Sequence, residues 1–380
     1  MEVSGSIEYS TLEEVLDRNP VGFFQYRLLF MCGLAFMADA LEISLLSFLT
    51  ACVGVDWNLS YAEKATLTGM VFLGIVLGSL FFGRFADAYG RRTSYLYSCL
   101  LISCGGLLSA VAPSIYSLII FRMLTGFGIG GSSVPFDLLA EFLPASHRGK
   151  FLAFMQLFWT VGSMLVAAMA WATLPTLGWR FLTFACVVPV IIISLYSYFN
   201  LPESPRWLLT QHREREAAQV LIDAALLNNI RLSEFTLVHK ESSAESEGTF
   251  FELIRTKAAR RITLPLWAIW GLFGFTYFGL VLFQSRVYSN QDSMQSTHND
   301  ATLKCEFDYA PLFYNAASES FAVLISILLI DVLGRVKSQV VFYSLGGVAV
   351  ACMGLGLSPG GVLFFSILAR MCAMSSSVST

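Results

Sequence analysis

Apolar residues in this chain gather into runs of about 20 residues, separated by short polar joins. The runs lie near 28–50, 65–83, 93–112, 115–140, 150–172, 180–200, 262–284, 310–331, 338–357 and 361–376. A helix rising about 1.5 Å per residue crosses the roughly 30 Å hydrocarbon core of a bilayer in that length. Open strands would leave backbone groups unsatisfied in lipid, so every run is read as a helix. The pattern predicts an all-α polytopic membrane protein with ten spans. Residues 201–261 form a polar segment between six spans and four, with a helix-like start (213–227) and a polar, disordered middle (241–248). A second polar segment, 286–309, carries Cys305 and no strong element.

Charge fixes the expected orientation. Four of the 24 Lys and Arg (Lys64, Arg180, Arg286, Lys304) fall outside if the N-terminus is cytosolic, two (Arg122, Arg370) fall within spans, and the other 18 fall inside. Positive residues favour the inner side, so this is the preferred topology. The first 26 residues hold Glu2, Glu8, Glu13, Glu14 and Asp17, unlike the basic start of a cleavable signal. Thr11-Leu12-Glu13-Glu14 has the pattern of a capping box for a short amphipathic helix. The expected organisation is a cytosolic segment (1–27), a six-helix half (28–200), a cytosolic loop (201–261) and a four-helix, incomplete half (262–380). With 56% hydrophobic and 13% charged residues, the chain is far from the roughly 25% charge of soluble domains.

One polar join is distinctive. Gly83-Arg84-Phe85-Ala86-Asp87-Ala88-Tyr89-Gly90-Arg91-Arg92 lies between the second and third runs, and Asp331-Val332-Leu333-Gly334-Arg335 repeats it between two later ones. Gly83 and Gly90 permit close helix approach and a tight turn. Arg91 and Arg92 hold the loop at the inner surface, and Asp87 is placed to meet a helix N-terminus. Tyr97-Ser98 recurs as Tyr343-Ser344, and Phe121-Arg122-Met123 as Ala369-Arg370-Met371. These features resemble the major facilitator superfamily of secondary transporters. The resemblance implies a bundle of two pseudo-symmetric halves, with about ten of twelve expected helices present and the substrate site between the halves. By the same symmetry Asp331 should face the start of the fifth span.

Asp39 and Glu42 lie halfway along the first span, three residues apart and so on one helix face. Carboxylates at that depth cost several kcal/mol unless a cavity or partner receives them. They are candidates for proton, cation or substrate contact; the alternative is a buried structural pair with Arg122. Arg122 precedes a small-residue face at Gly126 and Gly130, where backbones can pack closely, and could hold an anion or join those carboxylates. Asp137, beside Pro135 near the inner end of the fourth span, and Glu319 in the eighth are further candidates. Trp159 and Tyr277 could stack on a ligand, or simply pack. Glu203 and Arg206, in Pro202-Glu203-Ser204-Pro205-Arg206-Trp207, can bridge to the inner loops; that run resembles the sugar-porter signature.

Other chemistries find little support. Eight cysteines are scattered without a CxxC pair, against a zinc site or dense disulfide framework; Cys52 and Cys305 both fall near the outer face and could be bridged or free. No Gly-Lys-Ser/Thr phosphate loop, metal-ligand set or nucleophile–base pair is present, so neither enzyme nor cofactor is expected. No nucleic-acid partner is indicated; lipid and a small-molecule substrate are. The sequence sets no oligomeric state.

Met37-Ala38-Asp39-Ala40-Leu41-Glu42, Gly126–Gly131, Ala140-Glu141-Phe142-Leu143-Pro144, Leu177-Gly178-Trp179-Arg180 and Leu201–Ser204 are similar to strings of the synaptic-vesicle-protein-two-related group. Asp137, and Val336 after Arg335, depart from its pattern. That resemblance implies a carrier of small organic ions or related metabolites; the mid-span carboxylates favour coupling to a cation or proton, and the expected location is the plasma membrane or an endomembrane or vesicle membrane. A sugar porter is the alternative reading. A truncated, non-transporting receptor or scaffold is a third.

Overall fold

The computed structural model describes residues 8–19, 21–232, 235–237, 252–289, 305, 307–355 and 357–379. The expected polar middle at 241–248 lies outside them. Among the described residues nine helical segments, Ile115–Glu141 counted as one, are long and apolar enough to cross a bilayer. One of these, α7 (Ala145–Asn200), has 56 residues and would extend about 84 Å, too long for a single span. Gly178 breaks it, with φ +75 and ψ −179, so α7 supplies both the fifth and sixth expected spans.

Chain order follows local chemistry. The expected capping box opens α1 (Leu12–Arg18): the Thr11 hydroxyl accepts from the Glu14 N–H, and Glu14 accepts from the Thr11 N–H. The first span is α2 (Phe23–Asp56), 78% buried over its most apolar window against 28% for α3 (Tyr61–Tyr89). That contrast puts α2 inside the bundle and leaves α3 facing outward. Gly90 alone joins α3 to α4 (Arg91–Ala110), at φ +98, a conformation unfavourable for other residues. The expected fourth span is two helices, α5 (Ile115–Ile129) and α6 (Val134–Glu141), parted at 130–133 with Pro135 in the first turn of α6.

Contacts gather the chain into two compact units, Met1–Val238 with Ser285–Ser320, and His239–Gln284 with Phe321–Thr380. In the first unit α3 and α5 pack through glycine. A Cβ on Gly78 would overlap the Phe127 carbonyl, one on Gly74 the Met123 carbonyl, and one on Gly126 the backbone of Val71. The small-residue face expected beside Arg122 is therefore a helix–helix seam. Gly83 is a correction to the sequence reading. Among the described residues a Cβ there would meet nothing within 4 Å, so the expected close approach is not made within them.

The polar face of the first unit carries a small domain. Helices α8 (Pro205–Thr210) and α9 (Glu214–Leu227) cover an apolar cluster of Val15, Leu16, Trp207, Leu208, Leu221 and Leu237. Beside it β1 (Glu8–Ser10) pairs in parallel with β2 (Phe235–Leu237), Glu8 opposite Phe235. This strand pair, with a single antiparallel bridge between Ser289 and Phe307, departs from an all-helical reading. Asn228, just after α9, binds the start of α2: its Oδ1 accepts from the Phe24 N–H at 2.8 Å, and its amide donates to Gln25 at 2.9 Å and Asn19 at 3.3 Å.

The second unit contains α10 (Glu252–Arg255), most of α11 (Lys257–Val287), the later part of α12 (Tyr309–Leu333), α13 (Arg335–Met353) and α14 (Pro359–Ser379). Leu280, Ala349 and Ala369 form its buried cluster. Gly334, at φ +76, joins α12 to α13 as Gly90 joins α3 to α4. The repeat seen in sequence is thus also a repeat of backbone conformation.

Candidate functional site

Asp39 and Glu42 stand at the middle of α2, both buried, at 3% and 2% exposure. Arg122 of α5 donates from Nη1 to Glu42 Oε2 at 2.8 Å, with its side chain equally enclosed. The pairing weighed from sequence is therefore present. It is only partly satisfied: Glu42 Oε1 and Arg122 Nε and Nη2 are buried without hydrogen-bond partners among the described residues. A buried ion pair gains most when its remaining lone pairs and protons are also met. Asp39 makes no hydrogen bond or ion pair among the described residues.

Aromatic rings lie one turn away. Phe36, on the face of Asp39 by helical spacing, has its ring centroid 4.8 Å from that of Trp159 on α7. Trp159 is 9% exposed. Asp39, Glu42, Arg122 and Trp159 thus fall within one unit, on α2, α5 and α7. Asp137, exposed on α6, is away from this group and instead lies within electrostatic reach of Arg91, Asp87 and Glu141. Glu319 is fully buried on α12. In the second unit Tyr277 is buried, with the Arg370 guanidinium 5.8 Å from its ring centroid. Arg370 also donates to Gln284 Oε1 at 2.9 Å. The residue matching Arg122 in the repeat thus binds an amide oxygen.

The signature loop forms a second site. Arg91 donates to Asp87 at 2.8 Å and lies 3.4 Å from Glu141 of α6. Glu203 Oε1 accepts from the N–H groups of Arg91, Arg92 and Ser204, at 2.8, 3.1 and 2.9 Å. Trp207 Nε1 donates to the Asp87 carbonyl at 2.8 Å, and Arg206 approaches Glu13 of α1 at 3.8 Å. Among the described residues, Asp87 pairs with Arg91. Arg335 is exposed, and the Asp331 side chain lies outside the described residues, so its expected contact does too.

Opposite this end of α2, Cys52 and Cys305 are disulfide-bonded, with Cα atoms 5.3 Å apart. Asp56 accepts from Trp179 Nε1 at 3.1 Å, and the Arg180 guanidinium covers that indole at 4.3 Å. Sequence reading did not single out Asp56, Glu141 or Asn228 as site residues. Glu141 lay within a quoted string; Asn228 carried no local signal.

The sugar (and other) transporter family matches residues 30–373. A synaptic vesicle 2-related protein of Bos taurus is 34% identical over 338 residues, covering 86% of this chain and 61% of that protein. Organic cation/carnitine transporter 7 of Arabidopsis thaliana is 31% identical over 363 residues, covering 87% of this chain and 72% of the relative. The chain thus spans 61% of the length of the bovine relative. The proton:xylose symporter XylE, bound to 6-bromo-6-deoxy-D-glucose, superposes with a TM-score of 0.65 at 18% identity, over 94% of this chain and 80% of the symporter. That likeness is one of fold. With its spans, its repeated signature and this match across nearly the whole chain, the protein is a multi-pass membrane protein that belongs to the sugar (and other) transporter family of the major facilitator superfamily.

Proposed function

We propose that the chain is the transporting part of a secondary carrier that moves small organic ions or related metabolites by alternating access, coupled to a proton or other cation. The observation that supports this best is Asp39, a buried carboxylate without a partner among the described residues, one turn from the half-satisfied Glu42–Arg122 pair. An uncompensated charge at such depth is costly. A proton or a cationic ligand group would supply the missing partner, so the loaded carrier could rearrange at lower cost than the empty one. The free donors of Arg122 suit an anionic or carbonyl group on the same ligand, and the Phe36–Trp159 rings suit its apolar body.

In this reading Asp87, Gly90, Arg91, Arg92, Glu203 and Arg206, with Gly334 and Arg335 in the later half, shape the cytosolic gate. Tyr277 and Glu319 are further candidates for substrate contact. The N-terminus is cytosolic, and the membrane is the plasma membrane or a vesicle membrane. The name of the plant relative, an organic cation/carnitine transporter, points the same way. A sugar porter is the second reading, favoured by the likeness to a xylose symporter fold; a purely facilitative sugar route would give no role to a carboxylate without a partner among the described residues.

Reconstitution in liposomes tests the choice, with a panel of organic cations, anions and sugars offered with and without a pH gradient. Saturable uptake of an organic ion, raised by the gradient and lost in Asp39→Asn, is expected. Sugar uptake with organic ions excluded, or uptake indifferent to Asp39→Asn, would overturn the reading.

A further inference from the structure

The start of the later spans is basic to an unusual degree. Arg255, Lys257, Arg260 and Arg261 fall within seven residues, all exposed. From Leu253 to Gln284 the sequence holds no Asp or Glu. None of the four makes an ion pair or side-chain hydrogen bond among the described residues. Elsewhere on the polar side Arg27 is engaged with Asn200, Arg91 with Asp87, Arg92 with the Tyr198 carbonyl and Arg213 with Glu216, while Arg84, Arg215, Arg231 and Arg335 are likewise unpaired among the described residues but scattered in sequence.

Placement of the four is unfavourable for the helix itself. The Thr256 hydroxyl accepts from the Ala259 N–H and so opens α11. Lys257, Arg260 and Arg261 therefore occupy its first turns, where positive charge opposes the helix dipole. Directly after them Ile262, Leu264, Trp267 and Trp270 are 70, 50, 43 and 46% exposed. On a membrane helix that places an apolar, indole-bearing surface toward lipid immediately beyond the charges. Retention of positive charge on the inner side explains the sign of the cluster. It does not explain four unpaired cations stacked above a lipid-facing surface.

We infer that Arg255, Lys257, Arg260 and Arg261 form a binding site for the headgroups of anionic phospholipids of the inner leaflet, with acyl chains lying along Leu264, Trp267 and Trp270. Each basic residue near such a surface contributes about fivefold in binding. The inference rests on the cytosolic placement of residues 201–261.

The test uses the purified full chain in detergent and a fluorescent short-chain phosphatidylinositol bisphosphate, with binding read by anisotropy at low and high salt. Substituting all four (R255Q, K257Q, R260Q, R261Q) should weaken binding by roughly several hundredfold. Replacing the three arginines by lysine should retain most of it. Binding unchanged in the glutamine variant would overturn the inference. If that variant aggregates, Lys257→Gln and Arg260→Gln singly, each expected to cost about fivefold, decide the matter in its place. Free inositol trisphosphate should compete weakly; full competition at equal concentration would assign the site to a soluble phosphate and sink the lipid assignment. Detergent has no sides, so failure there leaves the topology intact. An outward-reacting tag at residues 257–261 in sealed cells would instead remove the inner leaflet as the source.

Discussion

Glu203 Oε1 accepts the backbone N–H of Arg91 at 2.8 Å, across 112 positions of sequence, and so caps the helix that begins there. The same oxygen receives the Arg92 N–H, and a Cβ on Gly90 would overlap this carboxylate. Hydrogen bonds to a charged group contribute about 1.5–3 kcal/mol each. Glu203→Ala should therefore lower the unfolding temperature in detergent, and Gly90→Ala should do so through both overlap and φ. Unaltered melting of both variants would show that the loop is held elsewhere.

Removing one member of the Glu42–Arg122 pair should cost more than removing both. Glu42→Gln strands a buried guanidinium, a loss of roughly 3–5 kcal/mol, whereas an apolar pair of similar volume is often near neutral. The double variant Glu42→Leu with Arg122→Met should recover most of the melting temperature and none of the uptake. Recovery of both would make the pair a structural contact alone.

Gly78 and Gly83 form a controlled contrast on one helix. Gly78→Val should disrupt the seam between α3 and α5, because the added carbons meet the Phe127 backbone. Gly83→Ala meets open space and should gain a few tenths of a kcal/mol or more from helix propensity. Expression level and monodispersity in detergent report both. Equal damage from the two substitutions would contradict the seam.

This contrast shows where the sequence was legible. Runs of apolar residues announced ten spans because crossing a bilayer demands a length and a composition that few other structures need. Asp39, Glu42 and Arg122 stood out because charge is rare at that depth. Their pairing was readable as an option, since either carboxylate could have met the arginine. Gly83 and Gly78 look alike in sequence, and only the neighbouring backbone separates them. Glu141 beside Arg91, and Asn228 beside Phe24, are contacts between distant segments. Such contacts leave no periodic trace in one chain.

Asn228 should act as a mechanical link. Asn228→Ala removes the acceptor for the Phe24 N–H and the donor to Gln25, leaving the start of α2 tied to the α8–α9 domain by fewer contacts. Faster proteolysis between residues 19 and 23 is expected, together with a lower melting temperature from a loss of about 1–2 kcal/mol of stability. Protection equal to wild type would place the anchor elsewhere.

The Cys52–Cys305 bond joins positions 253 apart, and that changes what a cut in the backbone means. The polypeptide is a large ring with two tails, and residues 239–250 lie on the ring. A protease site introduced there should open the ring without parting the molecule. Both pieces should migrate together until a reductant is added, then separate. Severing the loop between the early and later spans would therefore leave them one covalent object, and reductant outside the bond, rather than continuity of the chain, would decide when they part.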